Sequence, residues 1–249
     1  MSDVSPSETF PSPGAALAAG TLVLDGRFRV VRLLGSGGMG FVYLAEQVSL
    51  GRAVALKVLR HDLVMATDFI ERFRREAVLL SSVEHPAVVR VIDYGTHETA
   101  PCLVMEYVEG ETLEQVLTRE APLAVERVER LLSQLAQGLA AIHARGIVHR
   151  DLKPDNVVLT KTADGLEQAR LLDFGIARLM DPGDAGASVT QVGMVLGTPE
   201  YVSPEQGMGQ ALDARSDLYS LGVMLFRALT GRHPFPGPGP REFISQHIH

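Results

Sequence analysis

The chain has 249 residues, 46% of them hydrophobic and 21% charged, and a net charge of -7. These proportions suit a globular protein with a sizeable core and exclude a wholly disordered chain, a collagen-like repeat and a coiled-coil fibre. The acidic balance leaves no global field for nucleic acid, and the lone Cys102 excludes an internal disulfide or a cysteine-rich zinc site and fits a reducing, cytoplasmic setting.

No run reaches the roughly 18–20 apolar residues needed to cross a bilayer. The first basic residue is Arg27, so the positive start of a secretory signal is missing. Residues 1–26, rich in Ser, Pro, Ala and Gly, read as a disordered leader, with the folded domain at 27–249. Phe28, Val30 and Leu33 or Leu34 predict a strand, followed by a glycine cluster, a strand over Phe41–Ala45 and another over Ala53–Leu59. Residues 68–82 change to helical spacing, with Phe69, Phe73 and Leu80 on one face. Glu76 falls on that same face, and an inward carboxylate needs a cation or hydrogen-bond donors. Strands are expected at Val88–Asp93 and Leu103–Glu106. A long helix follows over Glu126–Arg145, with Val128, Leu131, Leu132, Leu135, Leu139 and Ile142 inside and Gly146 at its C-cap. Val157–Leu159 and Arg170–Leu172 bracket an Asp164-Gly165 hairpin turn. Leu218, Leu221, Gly222, Leu225 and Leu229 then predict a buried helix stopped by Gly231. The order is a β-rich first part with one helix, then a mainly helical second part.

Three segments carry chemistry. Gly35-Ser36-Gly37-Gly38-Met39-Gly40-Phe41-Val42 joins two strands, which disfavours a Rossmann dinucleotide site. Alone it is equally a bare hairpin tip or a backbone lid over phosphates. Lys57, in Val54-Ala55-Leu56-Lys57, either snorkels from an edge strand or answers the inward Glu76 and holds phosphates beside the lid. His149-Arg150-Asp151-Leu152-Lys153-Pro154-Asp155-Asn156 is a loop dense in ionisable and amide groups, and Asp173-Phe174-Gly175 follows a strand. One aspartate can orient and deprotonate a hydroxyl, while an asparagine and a second aspartate offer hard oxygen ligands for magnesium.

Taken together, in this order, these motifs resemble the eukaryotic-like protein kinases, and the likeness runs from about Phe28 to the C-terminal end. It implies a bilobal α+β fold, with an N-lobe at 27–108 and a C-lobe at 109–249, that transfers the γ-phosphoryl group of ATP with Mg2+. By resemblance, Asp151 positions the acceptor hydroxyl, Lys153 steadies the γ-phosphate, Lys57 meets the α- and β-phosphates and pairs with Glu76, and Asn156 and Asp173 hold Mg2+. Leu34, Gly35, Ser36, Gly37, Gly38, Met39 and Gly40 would cover the nucleotide. Val42, Ala55 and Val158 would sandwich adenine, beside Met105 as gatekeeper and the hinge Glu106-Tyr107-Val108. Leu80, His149 and Phe174 would stack as a spine, and Asp217 would fix the catalytic-loop backbone.

Lys153-Pro154 resembles the serine/threonine branch. Gly197-Thr198-Pro199-Glu200-Tyr201 and Ser203-Pro204-Glu205 look like the loop that holds a peptide substrate, with Thr198 at its centre, in the manner of bacterial relatives. The partners implied are ATP, protein substrates bearing Ser or Thr, and a homodimer for autophosphorylation in trans. Thr190 is the expected activating phosphosite, faced by Arg150 and Arg178, with Ser188 as its rival; the second threonine common in bacterial relatives is replaced by Val192. The family's domain continues past a helix beginning near Arg241. The C-lobe is therefore expected to be incomplete, Glu205 to be buried without its arginine, and residues 1–249 alone to be unstable.

Overall fold

The computed structural model describes residues 16–38, 40–60, 67–173, 198–235, 237 and 239–249. The N-terminal half is a six-stranded antiparallel sheet in the order β1-β2-β3-β4-β6-β5. Its strands are β1 (Leu22–Val23), β2 (Phe28–Gly37), β3 (Gly40–Gln47), β4 (Arg52–Leu59), β5 (Val91–His97) and β6 (Ala100–Glu106), with helix α1 (Thr67–Ser81) between β4 and β5. Strand alternation divides the sheet between two cores. Val54, Leu56 and Val58 of β4 join Cys102 and Val104 of β6, Tyr43 and Phe28 on one face. On the other face Leu59, Leu103 and Met105 meet Phe73, Ala77 and Leu80 of α1.

The second half contains β7 (Glu111–Thr112), α2 (Leu113–Glu120), α3 (Val125–His143), β8 (Val157–Lys161), β9 (Glu167–Leu171), α4 (Pro204–Gly207), α5 (Ala214–Thr230) and α6 (Pro240–Ile248). Strands β7, β8 and β9 form a small antiparallel sheet, and the predicted turn between β8 and β9 carries Gly165 at φ 79°. Helix α3 buries Val128, Leu131, Leu135, Leu139 and Ile142, one stripe at three- and four-residue spacing. Gly138 lies in that stripe because a Cβ there would stand 3.0 Å from the Leu171 side chain and 3.2 Å from Ala87. Helix α5 is capped by the Asp213 side chain at its start and by Gly231, at φ 74°, at its end. This is a two-lobed α+β architecture. Among the described residues, no helix is long and apolar enough to cross a membrane.

Three expectations need correction. Order does not begin at Arg27: the segment from residue 16 is part of the N-terminal lobe. The Gly20 N–H donates to the Val30 carbonyl at 2.8 Å and the Val30 N–H to the Thr21 carbonyl at 2.9 Å, the Leu17 N–H donates to the buried Tyr43 hydroxyl at 2.8 Å, and Val23 and Leu24 are almost fully buried. Residues 1–15 of the expected leader lie outside the described residues. Second, the leucines do not define the buried face of α5. Leu218, Leu225 and Leu229 are exposed, while Ser216, Asp217, Ser220, Leu221, Met224 and Ala228 are inside. The polar members of that face are satisfied: the Ser220 hydroxyl donates to the Tyr201 carbonyl at 2.7 Å, and the Ser216 hydroxyl donates to the Glu205 carboxylate. Third, Glu205 is half-buried rather than buried and already has that serine as a partner.

Candidate active site

Past α3, Gly146 adopts φ 72° and turns the chain back, and the buried Ile147 and Leu152 anchor the returning loop. Its backbone is held from below by Asp217, 1% exposed in the first turn of α5. One carboxylate oxygen accepts the His149 N–H at 2.8 Å and the His143 Nε2–H at 2.7 Å, and the other accepts the Arg150 N–H at 2.9 Å. Arg150 has φ 65°, a left-handed conformation that side-chain-bearing residues avoid and that these bonds hold in place. Asp151 follows directly. Asn156 Nδ2 donates to the Asp151 carbonyl at 2.7 Å and to its carboxylate at 3.1 Å, and Lys153 Nζ stands 3.3 Å from the same carboxylate. The turn Pro154–Asn156 is a single 3-10 coil that delivers Asn156 to this position. Asp155, on the same turn, has its carboxyl pushed up by burial and by the nearby Glu114, against the pull of Lys153.

The second carboxylate is brought alongside by β9. The Leu172 N–H donates to the Asn156 carbonyl at 2.8 Å and the His149 ring donates to the Leu172 carbonyl at 3.0 Å, so Asp173, at φ 38°, leaves the sheet next to Asn156. Lys57 points away from the Val54, Leu56 and Val58 face of β4, is buried, and ion-pairs with Asp173. The expected Lys57–Glu76 pair is therefore replaced. Glu76 lies 3.3 Å from Arg150 Nη1, and burial pushes its carboxyl up to about 7, with Arg150 pulling the other way. Helical spacing correctly turns Glu76 inward, but two carboxylates here share two cations. Which pairs form is decided by Arg150 and Asp173, 74 and 116 residues along the chain from their partners.

The β2–β3 hairpin brings Gly37 opposite Gly40. Gly40, at φ 151°, is demanded by packing, since a Cβ would enter the Val58 carbonyl. Gly35, Gly37 and Gly38 have nothing within 4 Å of the position a Cβ would take. Their lack of side chains is not a requirement of the fold. Met39 lies outside the described residues; Leu34, Ser36, Gly37 and Gly38 are exposed. Val42 and Ala55 are half-buried, and Met105 and Val158 are buried. The chain after Glu106-Tyr107-Val108 crosses β8 so closely at Gly110 that a Cβ there would stand 2.8 Å from Val158.

On the opposite side of the loop, Thr198, Tyr201, Val202 and Gln206 line a recess with Asp151 and Lys153. Gln206 donates to the Arg150 carbonyl at 3.0 Å, tying α4 to the loop. Leu80 and His149 are buried as expected. Phe174, Arg178, Ser188, Thr190, Val192, Gly197 and the Phe69 side chain lie outside the described residues. Contacts that escaped the sequence include the Gln206 link and the pairing of Arg170 on β9 with Glu106 at 2.7 Å. The only trace of the second was a cation within the short strand expected at Arg170–Leu172.

A β-rich lobe bearing a glycine hairpin, set over a helical lobe whose loop presents Asp151, Lys153 and Asn156 beside Asp173, is the architecture of a protein kinase. The protein kinase domain family matches residues 28–249, and the chain belongs to that family. It is 65% identical over 231 residues to the serine/threonine-protein kinase pkn2 of Myxococcus xanthus, covering 93% of this chain and 28% of that protein. It is 44% identical over 229 residues to the serine/threonine-protein kinase PknB of Mycobacterium tuberculosis, covering 90% of this chain and 36% of that one. The crystal structure of the M. tuberculosis PknI kinase domain superposes with a TM-score of 0.70 at 30% identity, over 90% of this chain and 81% of that one. The chain thus spans well under half the length of these two full-length relatives.

Proposed function

We propose that the chain is a serine/threonine protein kinase that moves the γ-phosphoryl group of ATP onto protein hydroxyls. The observation that carries this reading is the convergence of Asp151, Lys153 and Asn156 with Asp173 and Lys57, the last paired across the sheet with Val42 of a hairpin whose Gly35, Gly37 and Gly38 have no packing reason to be glycine. A backbone unshielded by side chains suits the approach of phosphate oxygens, and a site of this kind works by positioning and charge neutralisation. Asp151 orients and accepts the proton of the acceptor hydroxyl, and Lys153 beside it carries charge to the transferring group. The donor chemistry fits a hard divalent cation: Asn156 spends its amide nitrogen on Asp151, which leaves its oxygen for the metal together with the Asp173 carboxylate. Bound Mg2+ would neutralise the phosphate oxygens. Lys57 serves the α- and β-phosphates once it leaves Asp173, and Glu76 becomes its partner once it leaves Arg150.

Thr198 and its neighbours in the recess hold the acceptor peptide, and Thr190 is the proposed activating phosphosite, with autophosphorylation in trans through a homodimer. Transfer from labelled ATP to a Ser/Thr protein, beside Asp151→Asn and Lys57→Met, tests this. Asp151→Asn should keep nucleotide binding and lose transfer, and Lys57→Met should weaken phosphate placement as well. Wild-type transfer by Asp151→Asn would defeat the assignment.

A further inference from the structure

We propose that Gln206 is a positioning residue for Asp151, one whose amide fixes the peptide plane from which Asp151 leaves the catalytic loop and ties that plane to the wall of the peptide-side recess; this rests on the kinase reading above. Each N–H and C=O from His149 to Asp151 has a partner. The His149 and Arg150 N–H groups go to the Asp217 carboxylate, and the Asp151 N–H donates to the His149 carbonyl at 2.9 Å. The Asp151 carbonyl accepts from Asn156 at 2.7 Å. The Arg150 carbonyl accepts from Gln206 Nε2 at 3.0 Å, across 56 positions of sequence. The sequence marks Asp217 and Asn156 for this site but not Gln206.

The backbone conformation gives that bond its leverage. An N–H that reaches back two residues, with φ 65° at Arg150 between them, makes the rare and strained form of a three-residue turn. Such a turn persists where its surroundings over-determine it. The Arg150 carbonyl and the Asp151 N–H belong to one rigid peptide plane. His149 holds that plane at its N–H and Gln206 holds it at its carbonyl. Without Gln206 the plane is free to swing about the His149 bond, and the Asp151 carboxylate swings with it.

Local structure keeps the Gln206 side chain for this bond. Its own N–H donates to the Ser203 hydroxyl at 3.3 Å and its carbonyl accepts from Gly209 at 3.2 Å, so α4 draws nothing from its amide. Helix α4 is in turn pressed on α6: a Cβ at Gly207 would stand 3.1 Å from Ile244 and 3.3 Å from Ile248. The bond is therefore anchored on packed structure. A methionine would fill the same length but leave the Arg150 carbonyl without this donor, and a glutamate would set an acceptor against it. Gln206 also lines the recess with Thr198, Tyr201, Val202 and Asp151. The surface proposed to hold the acceptor peptide and the base proposed to meet its hydroxyl thus share one side chain, which fixes their separation.

The test uses the full chain, with transfer from labelled ATP to casein and to the chain itself, and with fluorescent N-methylanthraniloyl ADP to follow nucleotide binding. Melting curves set a temperature at which every variant is folded. Gln206→Met and Gln206→Glu should each lower kcat roughly fivefold to thirtyfold, while KM for ATP and ADP affinity stay within about twofold of wild type. Gln206→Glu keeps the shape and loses the donor, and assays at about pH 8 keep the new carboxyl ionised. A residue that only fills space would leave that variant near wild type. In an Asp151→Asn background, Gln206→Met should lower the residual transfer little further, because it acts through the carboxylate already removed. If Gln206→Met melts too low for kinetics, Gln206→Glu decides on the same criteria. Unchanged kcat in Gln206→Glu, a loss of ADP affinity that matches the fall in kcat, or an equal fall with and without Asp151 would overturn the positioning role. A wild-type chain that binds no fluorescent ADP would instead overturn the kinase reading.

Discussion

Replacing Asp217 by asparagine tests whether the catalytic loop is held from beneath by a single buried carboxylate. Its two oxygens accept three donors, from the His149 and Arg150 backbone and the His143 ring. Asparagine keeps the volume but turns one oxygen into an NH2 group. The least costly orientation keeps the two-donor oxygen and turns the NH2 toward the Arg150 N–H, so one buried backbone donor faces another. An unsatisfied buried N–H costs about 1–3 kcal/mol, and loss of the negative charge weakens the two bonds that remain. The sum is about 2–4 kcal/mol, which for a chain of this size lowers Tm by roughly 5–15 °C. The loss is not only global. The Arg150 N–H bond is one of those that hold φ at 65°, and Asp151 is the next residue, so the loop relaxes at the residue proposed to orient the acceptor hydroxyl. Phosphoryl transfer should fall further than the loss of folded protein explains at a temperature where the variant is fully folded. Asp213→Asn is the control: it lies one turn earlier, is exposed, and asparagine caps helices as well as aspartate, so its Tm should move little. Calorimetry and transfer assays on the three proteins decide the matter. An Asp217→Asn protein that melts and turns over like wild type would refute the reasoning.

Gly40→Ala should lower Tm by several degrees, since its Cβ enters the Val58 carbonyl at a φ of 151°. Gly37→Ala meets open space and should leave Tm in place while raising KM for ATP; the opposite pattern would contradict the split between packing and phosphate-facing glycines. Glu76 is raised from 4.5 to about 7 by burial, so the native state binds its proton more tightly than the unfolded chain. Its contribution is full below pH 4.5, declines as pH rises to 7 and is flat above, a change of about 3 kcal/mol at roughly 1.4 kcal/mol per pH unit. The difference in Tm between Glu76→Gln and wild type should widen over that window, and parallel profiles would exclude the effect. Burial also pushes the Cys102 thiol up to about 12. Alkylation by iodoacetamide should be negligible in the folded chain and appear only with unfolding, and rapid native labelling would contradict this burial.

Much of the fold was legible because its signals are local. The α3 stripe, the Asp164-Gly165 turn and the stop at Gly231 each depend on spacing or on a residue that tolerates positive φ. That Asp151, Asn156 and Asp173 would come together was also legible, since they stand on loops at strand and helix ends where composition is unusual. What escaped depends on distant partners. Leu218, Leu225 and Leu229 suggested a core face, but beside Asp217, which the resemblance had marked, Ser216 and Ser220 are the inward residues, bonded to Glu205 and to the Tyr201 carbonyl. A hydrophobic pattern gives no weight to a buried serine with an acceptor waiting for it. Val23 and Leu24 were missed because the three-residue apolar run Leu22-Val23-Leu24, set between Gly20 and Gly26, is too short to show a period. The exchange of cations around Glu76 lies beyond any local rule.

The family model begins at residue 28, yet the packing of the first lobe already includes Leu17, which lies against the core around Phe28 and donates its N–H to the Tyr43 hydroxyl. Leu24 rests so closely on Gly95 that a Cβ on Gly95 would stand 2.7 Å from the leucine methyl, and Arg27 ion-pairs with Asp93 of the same strand. A protein cut at the start of the family model would strip a lining from the far end of the sheet, uncovering Phe28 and Tyr43 and freeing the backbone of Val30. Its first lobe would lose rigidity through a missing edge while every motif residue stayed in place. Domain limits drawn from a family model and those drawn from packing are separate measurements, and in this chain the second reach back past the first, from residue 28 to Leu17.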